Sequence, residues 1–197
     1  MSIWGVSLSK AIKLAAIIFI LAFLLLVSFA FYYIYDKEAF ENKYDTIIIS
    51  ASKKYNIDPN LVKAVIWKES DFNPVALGTK KERGLMQIME KHAVQDWANY
   101  KKCQVPPPCI LFSPEVNIDI GTWYLARCLS HWDNYEDSLV LAIAEYNAGY
   151  KRAKEWASKN IQGSVTENIT FPSTKKYVIS ILKKYKTYKT SSLRLKD

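Results

Sequence analysis

Apolar positions follow two regimes along this chain. From Leu14 to Tyr35 they are continuous, 22 residues without a charge. After Asp36 they become periodic and are punctuated by helix start and stop signals. A helix continuing over 37–55 offers Ile47, Ile48 and Tyr55 as apolar contacts. Asp58-Pro59 starts the next, because Asp can cap and Pro at the first helical position gives up no needed hydrogen bond. Over 59–70, Val62, Val65, Ile66 and Glu69 recur at i, i+3, i+4 and i+7, which puts an acid on the buried face of the last turn. Asn73-Pro74 enforces a turn. Ser113-Pro114 opens a helix to about His131, an apolar helix over 137–147 closes at Gly149, and shorter helices occupy 151–159 and 173–188. Ile161–Phe171 reads as a loop. Strand signals are scarce, so the fold class expected is mainly α, preceded by one transmembrane helix.

A helix needs about 20 apolar residues to cross a hydrocarbon core of roughly 30 Å, and 14–35 supplies them. Phe31, Tyr32, Tyr33 and Tyr35 crowd its far end, where amphipathic rings favour the headgroup layer. Lys10 and Lys13 precede the block; Asp36, Glu38, Glu41 and Asp45 dominate the residues after it. The positive-inside rule then expects a single-pass cell-membrane protein with a cytoplasmic N-terminus. A cleaved signal peptide fits less well, because the apolar core is too long and Ser28-Phe29-Ala30 is a poor cleavage match. The expected order is 1–13 cytoplasmic, 14–35 signal anchor, 36–45 juxtamembrane linker, 46–190 folded extracytoplasmic domain and 191–197 tail.

The formal net charge of +8 changes the picture little. It fits solubility or a polyanionic partner, but zinc-finger spacing, RNP-type aromatic runs and a concentrated basic stripe are missing, which argues against nucleic acid. Cys103, Cys109 and Cys128 all fall on the outer side, where oxidation is permitted. Cys103–Cys109 is the preferred disulfide. The intervening Pro106-Pro107-Pro108 run could close as a small loop or hold the two apart, and pairing of Cys128 with either stays open. His92 and His131 lie in different segments without ligand spacing, so no metal is expected.

Glu69 carries the candidate chemistry. A carboxyl on an apolar helix face has its pKa raised by desolvation, and a protonated carboxyl near neutral pH is a good general acid. Lys68-Glu69-Ser70-Asp71-Phe72-Asn73-Pro74 is followed by Gly84-Leu85-Met86-Gln87-Ile88-Met89, then by Ala144-Glu145-Tyr146-Asn147-Ala148-Gly149, and last by Pro172-Ser173-Thr174-Lys175-Lys176-Tyr177-Val178. These four blocks, in this order, resemble the family 1 lytic transglycosylases, whose catalytic domain is related to goose-type lysozyme. Pro114, Asn117-Ile118, Gly121 and Tyr124-Leu125 also look like that family. The resemblance covers about 46–188 and implies a lysozyme-like helical domain with a substrate cleft. It implies that Glu69 is the sole catalytic residue, that Ser70 and Tyr146 orient it or the substrate, that Met86 and Gln87 line the saccharide cleft, that Asn147 helps hold the site and that Tyr177 faces it. Glu145 departs from the family, where Ala is commoner, and reads as a solvated face residue. Trp97, Tyr100, Trp123, Trp132 and Trp156 are candidates for a sugar platform, with burial in the core as the default for each.

The substrate so implied is the glycan strand of peptidoglycan. Most glycosidases need two carboxylates, about 5 Å apart or about 6.5–9.5 Å apart, and no second motif acid stands here; Asp71 should point away from Glu69. A single acid suffices if the 2-acetamido group of N-acetylmuramic acid assists and the sugar's own 6-hydroxyl closes a 1,6-anhydro ring, which needs no cofactor. A water-using muramidase of the same fold and a non-catalytic wall-binding assembly factor are the competing expectations.

Overall fold

The computed structural model describes residues 3–158 and 164–194. The chain forms two compact units that divide between Lys43 and Tyr44.

The first unit is one helix, α1 (Ile3–Asn42). At 1.5 Å per residue it is about 60 Å long. It contains a window of mean hydropathy 3.0 and is long and apolar enough to cross a membrane. Its large apolar side chains, Ile17, Phe19, Leu25 and Phe29 among them, are exposed along its length. A water-facing helix cannot hold such a surface without an apolar environment to cover it. The helix runs unbroken through the stretch expected as a linker as far as Asn42, and Lys43-Tyr44 interrupts the helix expected over 37–55.

The second unit is all helical, with only two isolated bridges, Leu77 to Arg83 and Arg83 to Ile88, among the described residues. Helix α2 (Asp45–Tyr55) begins with an acid and ends with Lys53-Lys54, both matched to the helix dipole. It buries Tyr44, Ile48 and Ala51, and stops at Asn56 in the left-handed conformation (φ 53°). Helix α3 (Pro59–Ser70) starts as its sequence dictates, with Asp58 Oδ1 accepting from the Asn60 N–H at 2.9 Å. Asp71 and Phe72 both adopt positive φ (48° and 62°), and this double left-handed step ends the helix immediately after Ser70.

The next loop returns to a π-helical turn (Glu90–Val94), α4 (Gln95–Lys101) and a 3-10 turn (Pro108–Phe112). Helix α5 (Pro114–His131) spans the expected stretch, and α6 (Ser138–Ala148) ends at Gly149 (φ 85°), also as expected. Val140 to Ala144 are buried all round. A helix apolar on every face has to be enclosed, and α6 is packed among α5, α7 (Tyr150–Ser158) and α9 (Pro172–Arg194). Of the expected loop over 161–171, residues 161–163 lie outside the described residues, while Val165–Asn168 form a short helix, α8. The Val165 N–H bonds Asp137 Oδ2 at 2.7 Å, which ties this helix to the start of α6. Helix α9 outruns its expected end at 188 and takes in the first residues of the expected tail; residues 195–197 lie outside the described residues.

Two residues fix the loop 73–89 over the core. Asn117, fully buried on α5, donates to Arg83 O (2.8 Å) and Leu111 O (2.7 Å) and accepts from the Met86 N–H (2.7 Å). Gly84 (φ 72°) lies so close that a Cβ there would meet the Asn117 amide at 2.3 Å.

The expected Cys103–Cys109 disulfide is not formed, and all three cysteines are free. Cys103 is held by its N–H to Ala98 O at the end of α4, Cys109 sits in the 3-10 turn, and the proline run between them is extended (Pro107 φ −63°, ψ 150°). Both residues are exposed to solvent.

Candidate active site

A cleft of about 450 Å³ opens against the end of α3, between the 76–93 segment and the inner faces of α5 and α6. Glu69 lies in its wall, with Glu82, Gln87, Met89, His92, Tyr124, Tyr146 and Asn147 around it. Glu69 is half-buried, open to the cleft at one edge and enclosed by protein elsewhere. Burial drives its pKa from 4.5 to about 7. Hydrogen bonding to Tyr177 pulls in the opposite direction, the charge of Glu82 adds to the rise, and Lys68 offsets part of it. Desolvation is the largest of these influences and outweighs the Tyr177 hydrogen bond.

Tyr177, on α9, donates its O–H to Glu69 Oε1 at 2.5 Å. A donor to the charged form steadies the carboxylate, so the carboxyl is fixed in direction while its pKa stays near neutrality. Packing of α9 on α3 brings together two residues 108 positions apart. Tyr146, on α6, donates to the Met86 carbonyl at 2.8 Å and meets Tyr124 edge to face at 5.5 Å. Burial and then the charge of Glu69 push the Tyr146 and Tyr177 phenols well up, so both are neutral donors throughout the accessible pH range.

The other residues singled out in the sequence take different places. Gln87 lines the cleft, and its Nε2 donates to Gly84 O (2.9 Å) and Ala76 O (3.1 Å), which pins a residue at φ 45°. Met86 does not line the cleft. Its side chain is fully buried against Gly121, where a Cβ would lie 2.5 Å from the sulfur. The reversal comes from the loop, whose Met86 N–H is drawn to Asn117 and turns the side chain inward. Ser70 does not reach Glu69 either; its hydroxyl bonds Leu85 O at 2.8 Å and clamps α3 to the loop. Asn147 lines the cleft and accepts from the buried Thr174 Oγ1 at 2.8 Å, joining α6 to α9. Asp71 is exposed on the turn that ends α3, outside the cleft lining.

Glu145 corrects the expectation of a solvated residue. It is 2% exposed. Its carboxylate accepts from Trp132 Nε1 at 2.7 Å and lies 2.9 Å from His131 Nδ1, closing the end of α5 onto α6. Tyr150 stacks on Trp132 and meets His131 edge-on. Burial and the Glu145 charge push the Cys128 thiol well up, which leaves it an unreactive core group. Trp123, Trp132 and Trp156 are buried, and Trp97, Tyr100 and Trp123 lie outside the cleft lining. The aromatic walls are Tyr124 and Tyr146. Tyr124 stood in the family-like pattern without a role; its position one turn from Gly121 was the available signal. Among the described residues no three His, Cys, Asp or Glu side chains group as a metal site requires.

Comparison with known proteins bears on the family and the fold. Residues 46–168 match the family model described as the transglycosylase SLT domain. The chain is 37% identical over 119 residues to membrane-bound lytic murein transglycosylase C of Salmonella arizonae, which covers 58% of this chain and 32% of that protein. The fold is similar to that of lytic transglycosylase Slt of Pseudomonas aeruginosa, solved as an inactive mutant (TM-score 0.69, 25% identity, 76% of this chain, 24% of that one). It is also similar to that of the 70-kDa soluble lytic transglycosylase of Escherichia coli (TM-score 0.65, 28% identity, 74% of this chain, 24% of that one). This chain therefore spans about a third or less of the length of these relatives. The helical, lysozyme-like architecture implied by the four sequence blocks is the one observed. With the family model matched across most of the folded unit and the cleft built from those blocks, the chain belongs to the transglycosylase SLT-domain family.

Proposed function

We propose that this chain is a membrane-anchored peptidoglycan lytic transglycosylase. It cleaves the bond between N-acetylmuramic acid and N-acetylglucosamine without water and leaves 1,6-anhydro ends. The observation that carries the reading is Glu69 itself, a carboxyl brought to about 7 in the wall of a cleft and held at Oε1 by Tyr177. Such a group is protonated in about half the molecules near neutral pH and can give a proton and take one back in a single turnover.

In the proposed cycle, protonated Glu69 donates to the glycosidic oxygen as the carbon–oxygen bond breaks. The Tyr177 hydrogen bond steadies the carboxylate left behind. The 2-acetamido oxygen of the muramic acid stabilises the anomeric carbon as an oxazolinium-like intermediate. Glu69 then removes the proton of that sugar's 6-hydroxyl, whose oxygen closes the anhydro ring. The intramolecular attack gains from high effective molarity, and Glu69 ends protonated as it began. Tyr124 and Tyr146 supply faces for the sugar. Gln87 and Asn147 are held rigidly enough to orient its amide and hydroxyl groups. The names of the relatives, one membrane-bound and one solved as an inactive mutant, are consistent with this reading.

The anchor in this proposal is α1, crossing the membrane once with the N-terminus cytoplasmic and the catalytic unit outside. One observation favours a hydrolytic muramidase as a second reading: Glu82 is another carboxylate in the cleft lining. Against it, one Glu82 oxygen is engaged by the Lys80 N–H at 2.8 Å. The test is digestion of purified peptidoglycan by the full-length chain in detergent, with the products weighed. Anhydro products, lighter by one water than reducing-end products, support the transglycosylase. Reducing ends assign a muramidase, and folded protein that releases nothing favours a wall-binding factor.

A further inference from the structure

Helix α9 has two faces of different character. Its inner face, with Thr174, Tyr177, Val178 and Ile181, is buried against the core. Its outer face runs through Lys176, Ile179, Lys183, Lys186 and Thr190, all exposed and spaced by three or four residues, which sets them in one row along the helix. Residue order shows no concentrated basic run, because the lysines stand three to seven positions apart. The helical period gathers them over about 15 Å. The row lacks counter-charges. Exposed helices usually place Glu or Asp one turn from Lys, which offsets repulsion between like charges, but α9 has no acid in its 23 residues. Acids bonded to α9 from elsewhere are engaged at other positions: Asp58 accepts from the Tyr185 O–H at 2.7 Å, Glu69 accepts from Tyr177, and Glu167 pairs with Lys175 at 2.9 Å. Among the described residues no acid lies within ion-pair distance of Lys176, Lys183 or Lys186. The hydroxyls beside them bond within the helix: Ser180 donates to Lys176 O at 2.7 Å, Thr187 to Lys183 O at 3.1 Å and Thr190 to Lys186 O at 2.9 Å. What this face offers a partner is three ammonium groups around an exposed isoleucine.

Chain length decides which anionic partner is at hand. Only eight residues, Asp36 to Lys43, separate the uncharged stretch from Tyr44, where the folded unit begins. Seven of them are helical and add about 10 Å. A folded unit on so short a tether meets the headgroup layer at high effective concentration, so a few weak charge contacts suffice to hold it there. We infer that the face of α9 formed by Lys176, Ile179, Lys183 and Lys186 docks on anionic phospholipid headgroups of the membrane that α1 crosses. Each lysine close to such a surface favours the docked form about fivefold, and Ile179 adds an apolar contact at the headgroup layer. The same helix carries Tyr177 against Glu69, so docking fixes the orientation of the catalytic cleft to the membrane. The inference rests on the proposed membrane crossing by α1 and is independent of the glycan-cleaving reaction.

The test inserts the full-length chain into lipid nanodiscs of phosphatidylcholine alone, or of an equal mixture with phosphatidylglycerol. Brief acetylation read by mass spectrometry then reports the accessibility of each lysine, with the exposed Lys81 and Lys102 as internal references. Lys176, Lys183 and Lys186 should react at least about fivefold more slowly in the discs with phosphatidylglycerol. The references should keep their rates, and high salt should remove the protection. The exposed pair Lys183→Glu and Lys186→Glu leaves Lys176 as reporter, and its rate in those discs should return to that in phosphatidylcholine. Equal rates in the two kinds of disc, or protection of Lys176 that survives the double substitution, overturns the docking face. Protection by soluble polyglutamate in phosphatidylcholine discs, with none from phosphatidylglycerol, reassigns the face to a polyanion and overturns membrane docking. A chain that does not co-elute with discs overturns the anchor and this inference with it, whereas a chain that co-elutes with unprotected lysines overturns the inference alone.

Discussion

Replacing Glu69 by Gln tests the electrostatic reading of the site independently of any substrate. In the unfolded chain Glu69 titrates near 4.5; in the folded protein burial holds it near 7. The folded state therefore binds a proton more tightly, and the group's contribution to stability is fully present below about pH 4.5 and lost as pH rises through about 7. The gap corresponds to about 3 kcal/mol. Gln has the shape of the protonated acid, keeps an oxygen to accept from Tyr177 and does not titrate. The stability of Glu69→Gln relative to the unsubstituted chain should therefore rise by about 3 kcal/mol between about pH 4 and about pH 8.5. Urea unfolding of both full-length chains in detergent, followed by tryptophan fluorescence, measures it. Differences between the two cancel the groups they share. A stability difference flat across this range would refute the argument, because Glu69 would then titrate as an exposed glutamate and could not serve as a neutral-pH acid.

Other consequences are as direct. Tyr177→Phe removes the donor that favours the carboxylate, so the fall in cleavage rate as pH rises through about 7 should move upward by about one to two pH units, read from a pH–rate profile. Asn117→Ala orphans the Met86 N–H and two carbonyls in the interior and should cost about 3–5 kcal/mol by denaturant unfolding, with loss of the cleft-lining loop's protection in hydrogen exchange. Glu145→Ala leaves Trp132 Nε1 buried without an acceptor and should cost about 3 kcal/mol by the same unfolding measurement; a cost near zero would return Glu145 to the solvated surface.

Much of the helical framework was legible in local chemistry. Asp58-Pro59, Ser113-Pro114 and Gly149 act through their own backbone restrictions and through bonds no more than a few residues away, so α3 and α5 begin, and α6 ends, where those signals stand. The 3.6-residue period put Glu69 on the inward face of α3, and the uncharged stretch 14–35 specified a helix apolar on every side. Side-chain destinations inside the cleft were a different matter. Whether Met86 or Gln87 faces the cleft depends on which N–H Asn117 captures from 31 positions away, and period-based reasoning cannot see such a bond. Glu145 looked like a surface acid because its sequence neighbours carry no partner for it; Trp132 and His131 reach it only when α5 closes on α6. The break at Lys43-Tyr44 and the π-helical turn at Glu90–Val94 likewise have no residue-type signal of their own. The helices and the acid at the end of α3 could be read from residue order, because they rest on interactions within about one turn of chain. The proton affinity and aim of that acid could not. The enclosing wall that lifts Glu69 to near neutrality and the Tyr177 bond that fixes its direction arise only once α9 has packed on α3, across 108 residues of chain.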